Sequence, residues 1–229
     1  MRRSPRRKTV AVAVDPVEGV LLTAPEGVPL ERLDAIVRDK ARWIRARLRL
    51  VDQVEPTAAA REFVSGECFA YLGRRHRLLV RERGQAEGGE VKLDHGRFVV
   101  EVAQGLDARA RAAAVKAALE GWYRGRARAR LEERVSHWAE VVGVEAAGVL
   151  IREQSKRWAS CDAQGVLRFN WRIIQAPMGQ VDYIVAHELV HLIHADHTAA
   201  FWARLGVAMP DYEARKEALR RLGPQLWWS

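Results

Sequence analysis

The pentapeptide His187-Glu188-Leu189-Val190-His191 constrains the fold more than any other part of this 229-residue sequence. Residues four apart in an α-helix are separated by about 6 Å along the axis and about 40° around it, so both imidazoles lie on one face. The apolar residues that cover other directions of this helix are Ile184, Val185, Leu189 and Leu192. The pattern therefore predicts a buried helix that has Pro177 in its first turn and runs to about His194.

Two imidazoles at this spacing are typical of ligands to one zinc ion, with each nitrogen about 2.0–2.1 Å from the metal. A chance HExxH arises in about 2% of sequences of this composition, so the motif is specific. His197 supplies a third ring if the chain leaves the helix near His194–Asp196 and Thr198 caps the next helix. Three neutral imidazoles would leave the fourth coordination position open, which is the pattern of a catalytic zinc site.

Other ligand sets remain open at this point. Glu213 or Glu217 could replace His197 as the third ligand. A closed structural site would need a fourth protein ligand, for which the candidates are Cys161, Asp196 and His194. His194 lies only three residues past His191, a position that suits a turn or a residue supporting a ligand.

The residue types also predict a reaction class. A bound zinc ion brings the pKa of its water to about 7, and Glu188 is placed to accept the proton and deliver it to the leaving group. The developing oxyanion would be stabilised by zinc and a further donor, for which the candidates are Arg157, Tyr183 and Tyr212. These parts predict metal-assisted hydrolysis with one Zn²⁺ ion as cofactor.

The rest of the chain predicts an α+β fold with four segments. These are a basic flexible tip at 1–8, a hairpin-rich antiparallel β lobe at 9–105, a helical lobe carrying the motif at 106–223, and a tail at 224–229. Within them the patterns predict a hairpin at 9–23, a helix to about Leu50 and a connector at 51–60. The remaining predicted strands are 63–72, 76–82, 90–94, 97–103, 148–153 and 165–172, and the remaining predicted helices are 107–142, 198–207 and 211–222.

Alternation in the last predicted strand separates two sets of side chains. Its apolar set, predicted to face the core, is Leu167, Phe169 and Trp171; its polar set, predicted to face the other way, is Arg168, Asn170 and Arg172. We expect Arg157, Asn170 and Arg172 to line a substrate cleft beside the metal. A substrate could pair with the strand edge near 165–172.

Composition restricts the partners. The net charge is +9, but the tip Met1–Lys8 alone carries +5, so charge is weak support for a nucleic-acid partner. The arginines between Arg124 and Arg130 recur every second residue and spread around their helix, which favours a solvated surface. Two cysteines cannot form a disulfide framework. With no apolar window of about 18 residues and no secretory signal, we expect a cytoplasmic protein without membrane contact.

The segment 187–212 resembles the C-terminal signature of the YgjP-like metallopeptidase domain. Its sequence is HELVHLIHADHTAAFWARLGVAMPDY. That family is a zincin related to the SprT and WLM groups. Further matching segments are Lys156–Cys161, Phe169–Arg172, Ala24–Gly27, Trp43-Ile44, Gly66-Glu67 and Tyr71–Gly73. The resemblance covers roughly residues 9–223. It implies a zincin-like metallohydrolase with His187, His191 and His197 as zinc ligands and Glu188 as catalytic acid and base.

The predicted function is therefore a zinc-dependent hydrolase that acts as a metallopeptidase. One alternative is a nucleotide pyrophosphatase with the same metal site, because proteins resembling the family have been assigned that activity. The sequence feature that would indicate this activity is a phosphate-binding cluster formed by Arg152, Arg157, Arg168 and Arg172. A second alternative is a DNA-associated module with structural zinc.

Overall fold

The structure is a computed structural model that describes residues 2–4, 9–15, 19–52, 61–84, 89–154 and 157–228. Its described residues form three sheets and six α-helices, which confirms the predicted mixture of α and β structure. Contacts divide the chain into two compact units, Met1–Ala60 and Arg61–Ser229. The lobe boundary predicted between residues 105 and 106 differs from this division and stays a prediction.

The first unit contains a small sheet and two helices. Its strands are β1 (Arg2–Ser4), β2 (Ala11–Asp15) and β3 (Gly19–Pro25), in the order β1-β3-β2. The antiparallel β2–β3 pair confirms the predicted hairpin, and β1 runs parallel to β3. The predicted single helix is two helices, α1 (Leu30–Asp39) and α2 (Ala41–Asp52). Residues 5–8 of the basic tip and 53–60 of the connector lie outside the described residues.

The second unit begins with a four-stranded sheet. Its strands are β4 (Cys68–Tyr71), β5 (Arg74–Arg83), β6 (Glu90–Asp94) and β7 (Arg97–Ala103), in the order β4-β5-β7-β6. The predicted antiparallel arrangement is wrong for one pair, because β5 and β7 are parallel. Strand β7 buries Phe98, Val100 and Val102 and takes the inner position, while the more exposed β6 forms the edge.

Helix α3 (Ala108–Val142) is the long helix that the sequence predicts at 107–142. Asp107 caps its first turn by accepting a hydrogen bond from the Ala110 amide at 2.8 Å. Gly143 ends it in the left-handed conformation at φ 73°. The buried stripe is Val115, Leu119, Tyr123, Ala127, Leu131, Val135 and Val142. These side chains share one hydrophobic core with the four-stranded sheet and with the helix that carries the HExxH motif.

A third sheet follows α3. It contains β8 (Gly148–Arg152), β9 (Ala159–Cys161) and β10 (Val166–Asn170) in the order β8-β10-β9. The predicted alternation to residue 172 is wrong at its end, because a 3₁₀ helix begins at Trp171 and continues to Gln175. Both Trp171 and Arg172 are buried there.

The remaining helices are α4 (Met178–Val190), α5 (Ala199–Ala208) and α6 (Tyr212–Leu222). Helix α4 follows Pro177 as predicted but ends at Val190, earlier than the predicted His194. An ion pair of 2.6 Å joins Asp182 on α4 to Arg134 on α3. None of the described helices is both long enough and apolar enough to cross a membrane.

The C-terminal segment, predicted as a tail, packs into the core. Trp228 is buried, and its indole Nε1 donates a hydrogen bond of 2.8 Å to Gln175 Oε1. Its carbonyl oxygen accepts one of 3.2 Å from Arg172 Nη2. The segment therefore braces the 3₁₀ helix that leads into α4.

The turn between β4 and β5 also supports the start of α4. Leu72 and Gly73 donate backbone hydrogen bonds to Ile174 and Gln175, and a Cβ added at Gly73 would lie 2.6 Å from Cγ of Pro177. Gly96 has almost the same left-handed backbone, φ +75° against +78°, but open space around it.

We expect Gly73→Ala to destabilise the protein more than the control Gly96→Ala, by about 1–3 kcal/mol, because it adds overpacking to the shared cost of positive φ. Urea unfolding followed by circular dichroism measures both variants. Equal losses of unfolding free energy in the two variants would show that the close approach of Gly73 to Pro177 adds no steric cost.

Candidate metal centre

Three histidines come together at the end of α4. His187 lies in its last turn, His191 caps its C-terminus, and His197 lies in the segment between α4 and α5. Their ligand atoms all lie within 4.8 Å of one another. The Nε2 atoms of His187 and His197 are 2.9 Å apart. The structure thus brings together the three rings that the sequence singled out.

One backbone contact orients His191. Its Nδ1 lies 3.0 Å from the carbonyl oxygen of His194, which suits a ring that donates from Nδ1 and keeps Nε2 free for a cation. His194 therefore supports the site through its backbone, close to the role its spacing suggested. The Nδ1 atom of His187 is buried and has no hydrogen-bond partner among the described residues.

Aromatic rings of α5 enclose the histidines. The Phe201 ring centroid lies 4.9 Å from that of His187, 4.6 Å from that of His191 and 4.8 Å from that of His197. Trp202 is stacked with His197, with centroids 5.5 Å apart and planes at 28°. Sequence reasoning missed the part these two residues play here. The available signal was their place in the first turns of the helix that follows His197.

Two of the three rings are kept ready to bind a cation. Burial lowers the pKa of His187 to about 3, with smaller contributions from His191, His197 and Lys216. The partial loss of surrounding water at the exposed His197, together with the neighbouring His191, also lowers the pKa of His197. Both imidazoles are therefore neutral at pH 7, as metal ligands must be. Such a donor set fits zinc.

The alternative ligands lie outside this group. In the part of the chain that the structure describes, no further His, Cys, Asp or Glu joins the three histidines. Glu217 accepts hydrogen bonds from Arg220 and Arg221, and Glu213 accepts one from Tyr212. The three rings therefore leave room for a ligand that is not protein.

Glu188 is a buried carboxyl group beside the histidine cluster. Burial raises its pKa to about 7, while a hydrogen bond from the Cys161 backbone amide and the positive charge of Arg157 act in the opposite direction. Both protonation states are thus accessible near neutral pH, as a group that accepts and returns a proton requires.

A groove of about 1000 Å³ contains Glu188 and the three histidines. Strand β9, the segment Asp162–Gly165 and the turn after α4 form its walls. Of the predicted substrate-binding residues, Arg157 lines this groove, whereas Asn170 and Arg172 are not among the described lining residues.

Asn170 and Arg172 are engaged by other groups of the protein. Asn170 Nδ2 donates a hydrogen bond of 2.8 Å to the carbonyl oxygen of Gln154. Arg172 forms an ion pair of 2.5 Å with Glu153 and stacks over the Trp171 ring, 4.3 Å from its centroid. Contact of either residue with substrate stays a prediction.

The strand edge at the groove is not the predicted one. Strand β10 pairs with β8 on one side and with β9 on the other, so no edge is free near 165–172. The edge belongs to β9, and the residues that flank this strand, Trp158 and Asp162, form backbone hydrogen bonds with β10. In an antiparallel pair these positions alternate, so the backbone groups of Ala159 and Cys161 face away from β10. Ala159 and Cys161 accordingly line the groove together with Glu188.

Comparison with known protein families gives a match over most of the chain. The description of the matching family is "YgjP-like, metallopeptidase domain", and the match covers residues 8–222. The chain belongs to the YgjP-like metallopeptidase family. It is accordingly a zinc metallohydrolase, and the three histidines are the group of described residues that could hold the metal.

Solved structures give weaker likenesses to this YgjP-like chain. The metallopeptidase zymogen abylysin of Pyrococcus abyssi is 20% identical with a TM-score of 0.38, over 42% of this chain and 97% of that one. The metallopeptidase zymogen jannalysin of Methanocaldococcus jannaschii is 18% identical with a TM-score of 0.35, over 39% of this chain and 92% of that one. Comparison with curated proteins finds no match.

We expect His197→Ala to weaken zinc binding by about 10²- to 10³-fold, because one ligand in four supplies roughly a quarter of the about 10–16 kcal/mol typical of a structural zinc site. Competition with a chromogenic chelator measures the affinity. His194→Ala is the matched control, since it removes a ring but keeps the carbonyl group that contacts His191. Similar losses in both variants would contradict the assignment of His197.

Proposed function

We propose that this protein is a zinc-dependent metallopeptidase in which His187, His191 and His197 hold one zinc ion and Glu188 transfers protons during hydrolysis of a peptide bond. The observation that carries the proposal is the groove itself, in which three converging imidazoles, a buried carboxyl group and a free strand edge meet. A bound zinc ion would supply Lewis acidity, which polarises a carbonyl group and makes water more acidic.

Glu188 moves the proton. It follows His187 in the last turn of α4, and its side chain lines the groove together with Cys161. The carboxylate takes a proton from the attacking water and returns it to the amine that leaves. Arg157, which lines the groove, supplies positive charge close to this carboxyl group and is the candidate donor to the developing oxyanion.

Strand β9 orients the substrate. An extended peptide placed along its free edge would form backbone hydrogen bonds with Ala159 and extend the third sheet by one strand. Pairing of this kind fixes the position of the substrate backbone independently of the substrate side chains. It also places the scissile bond near Glu188, because Ala159 and Glu188 line the same groove.

A nucleotide substrate has less support in the groove. Of the four arginines that could form a phosphate-binding cluster, Arg168 pairs with Asp162 at 2.6 Å and Arg172 pairs with Glu153. Only Arg157 of the four is among the described residues that line the groove. Incubation with peptides and with nucleoside triphosphates, each with and without a chelator, separates the two substrates. The DNA-associated alternative and the cytoplasmic location stay predictions.

We expect Glu188→Gln to lower peptide hydrolysis by about 10²- to 10⁴-fold while zinc content stays that of the wild type, because the amide cannot accept the proton. Turnover of a quenched fluorescent peptide and elemental analysis of the same samples measure the two quantities. Glu140→Gln, the same change on the exposed face of α3, is the control. Full turnover in a zinc-loaded Glu188→Gln variant would refute the role of Glu188.

N-methylated peptides test the strand edge. Methylation of the substrate amide that faces Ala159 should slow cleavage by about threefold to tenfold, since one backbone hydrogen bond contributes about 0.5–1.5 kcal/mol. Methylation at the residues on either side should have little effect, because alternate amides point away from the strand. Scanning the methyl group along one peptide and measuring kcat/KM gives the pattern. A response without this alternation would argue against pairing with β9.

A further inference from the structure

The histidines of the metal centre are not held in the same way. His191 has a backbone acceptor for its Nδ1 atom, in the carbonyl group of His194. His197 is exposed and lies outside any helix, and among the described residues its Nδ1 has no hydrogen-bond partner. A ligand in such a segment must be held by something else if it is to stay in position.

Trp202 provides that contact. Thr198 is the N-cap of α5 but makes no side-chain capping hydrogen bond. His197 is therefore the residue before the cap, and Trp202 is the fourth residue of the helix. A hydrophobic contact between these two positions fixes the angle at which a chain enters a helix. Here the contact is the stack of His197 on Trp202. The candidate ligand is therefore one of the two residues that fix how the chain enters α5.

Helix α6 holds Trp202 in turn. The Tyr212 ring is stacked with the Trp202 ring at a centroid distance of 5.6 Å and an interplanar angle of 18°. The ammonium nitrogen of Lys216, one helical turn later, lies 4.1 Å from the centroid of the same indole. Two residues of α6 therefore fix the plane of the ring against which His197 lies.

We propose that Trp202 is a positioning residue that orients His197 as a metal ligand by ring stacking, in place of the hydrogen bond that usually orients such a ring. The inference rests on the proposed function, because it takes His197 as a ligand. It gives the stack of Tyr212, Trp202 and His197 a part in metal binding in addition to core packing. A flat ring at residue 202 is the feature that matters.

The test compares zinc affinity in variants of the full chain, measured by chelator competition without any assay of activity. Trp202→Leu keeps an apolar side chain but removes the flat ring, and we expect it to weaken zinc binding by about 10- to 100-fold, as changes to groups that orient ligands do. Trp202→Phe keeps a flat ring and should stay within about threefold of the wild type. Trp122→Leu removes an indole packed on α3 against Tyr71 and should leave the affinity unchanged.

A double-mutant cycle shows whether Trp202 acts through His197. In a His197→Ala background the stacked ring is absent and Trp202 keeps a tilted contact with His187 at a centroid distance of 5.9 Å, so Trp202→Leu should change zinc affinity by less than about threefold. The same loss in both backgrounds would mean that the substitution damages the site in general, and it would overturn the proposal. Unchanged affinity in Trp202→Leu alone would overturn it as well.

Folding is checked by far-ultraviolet circular dichroism of the metal-free variants. If Trp202→Leu does not fold, Trp202→Met replaces it, because a longer side chain fills more of the space without supplying a flat ring. Unchanged zinc affinity in Trp202→Met, or an equal loss in the wild-type and His197→Ala backgrounds, would then overturn the proposal. Absence of zinc binding by the wild-type protein would instead refute the proposed function, so the two failures are distinguishable.

Discussion

Burial of α4 is the constraint on which the rest of the structure depends. From Val181 to Val190 every side chain of this helix except that of His187 is buried. A helix enclosed in this way cannot shift or rotate without opening cavities that cost several kcal/mol each. The histidine face therefore has a fixed direction, and the neighbouring α3, the 3₁₀ helix and the turn between β4 and β5 all serve to hold it.

Enclosure requires the two buried acids of α4 to be stabilised by other groups. Asp182 pairs with Arg134 of α3, and the Cys161 backbone and the charge of Arg157 stabilise the ionised form of Glu188. A buried carboxylate without such a partner would be strongly destabilising. The two acids differ in surroundings: Asp182 lies against guanidinium groups, whereas burial of Glu188 raises the pKa of its carboxyl group to about 7. One helix thus carries a structural acid and an acid suited to proton transfer.

Much of the site could be predicted because its pattern is local. The spacing of His187 and His191, the position of Pro177 and the apolar stripe of α3 all follow from the 3.6-residue period of a helix. The contact between His197 and Trp202 obeys an equally local rule about helix starts. No local rule predicts the parallel pairing of β5 with β7 or the edge position of β9. The same alternation of side chains would suit these strands in another order.

By itself, the sequence singled out His187, His191 and His197 as candidate ligands and predicted the helix that carries the HExxH motif, because helical periodicity and helix ends depend on neighbours a few residues away. Only the tertiary structure decided that Arg172 is buried against Glu153, that β9 supplies the edge of the groove, and that Arg157 alone of the predicted substrate residues lines it. Those outcomes depend on partners from distant parts of the chain. A strand edge or a buried ion pair exists only once those partners have met.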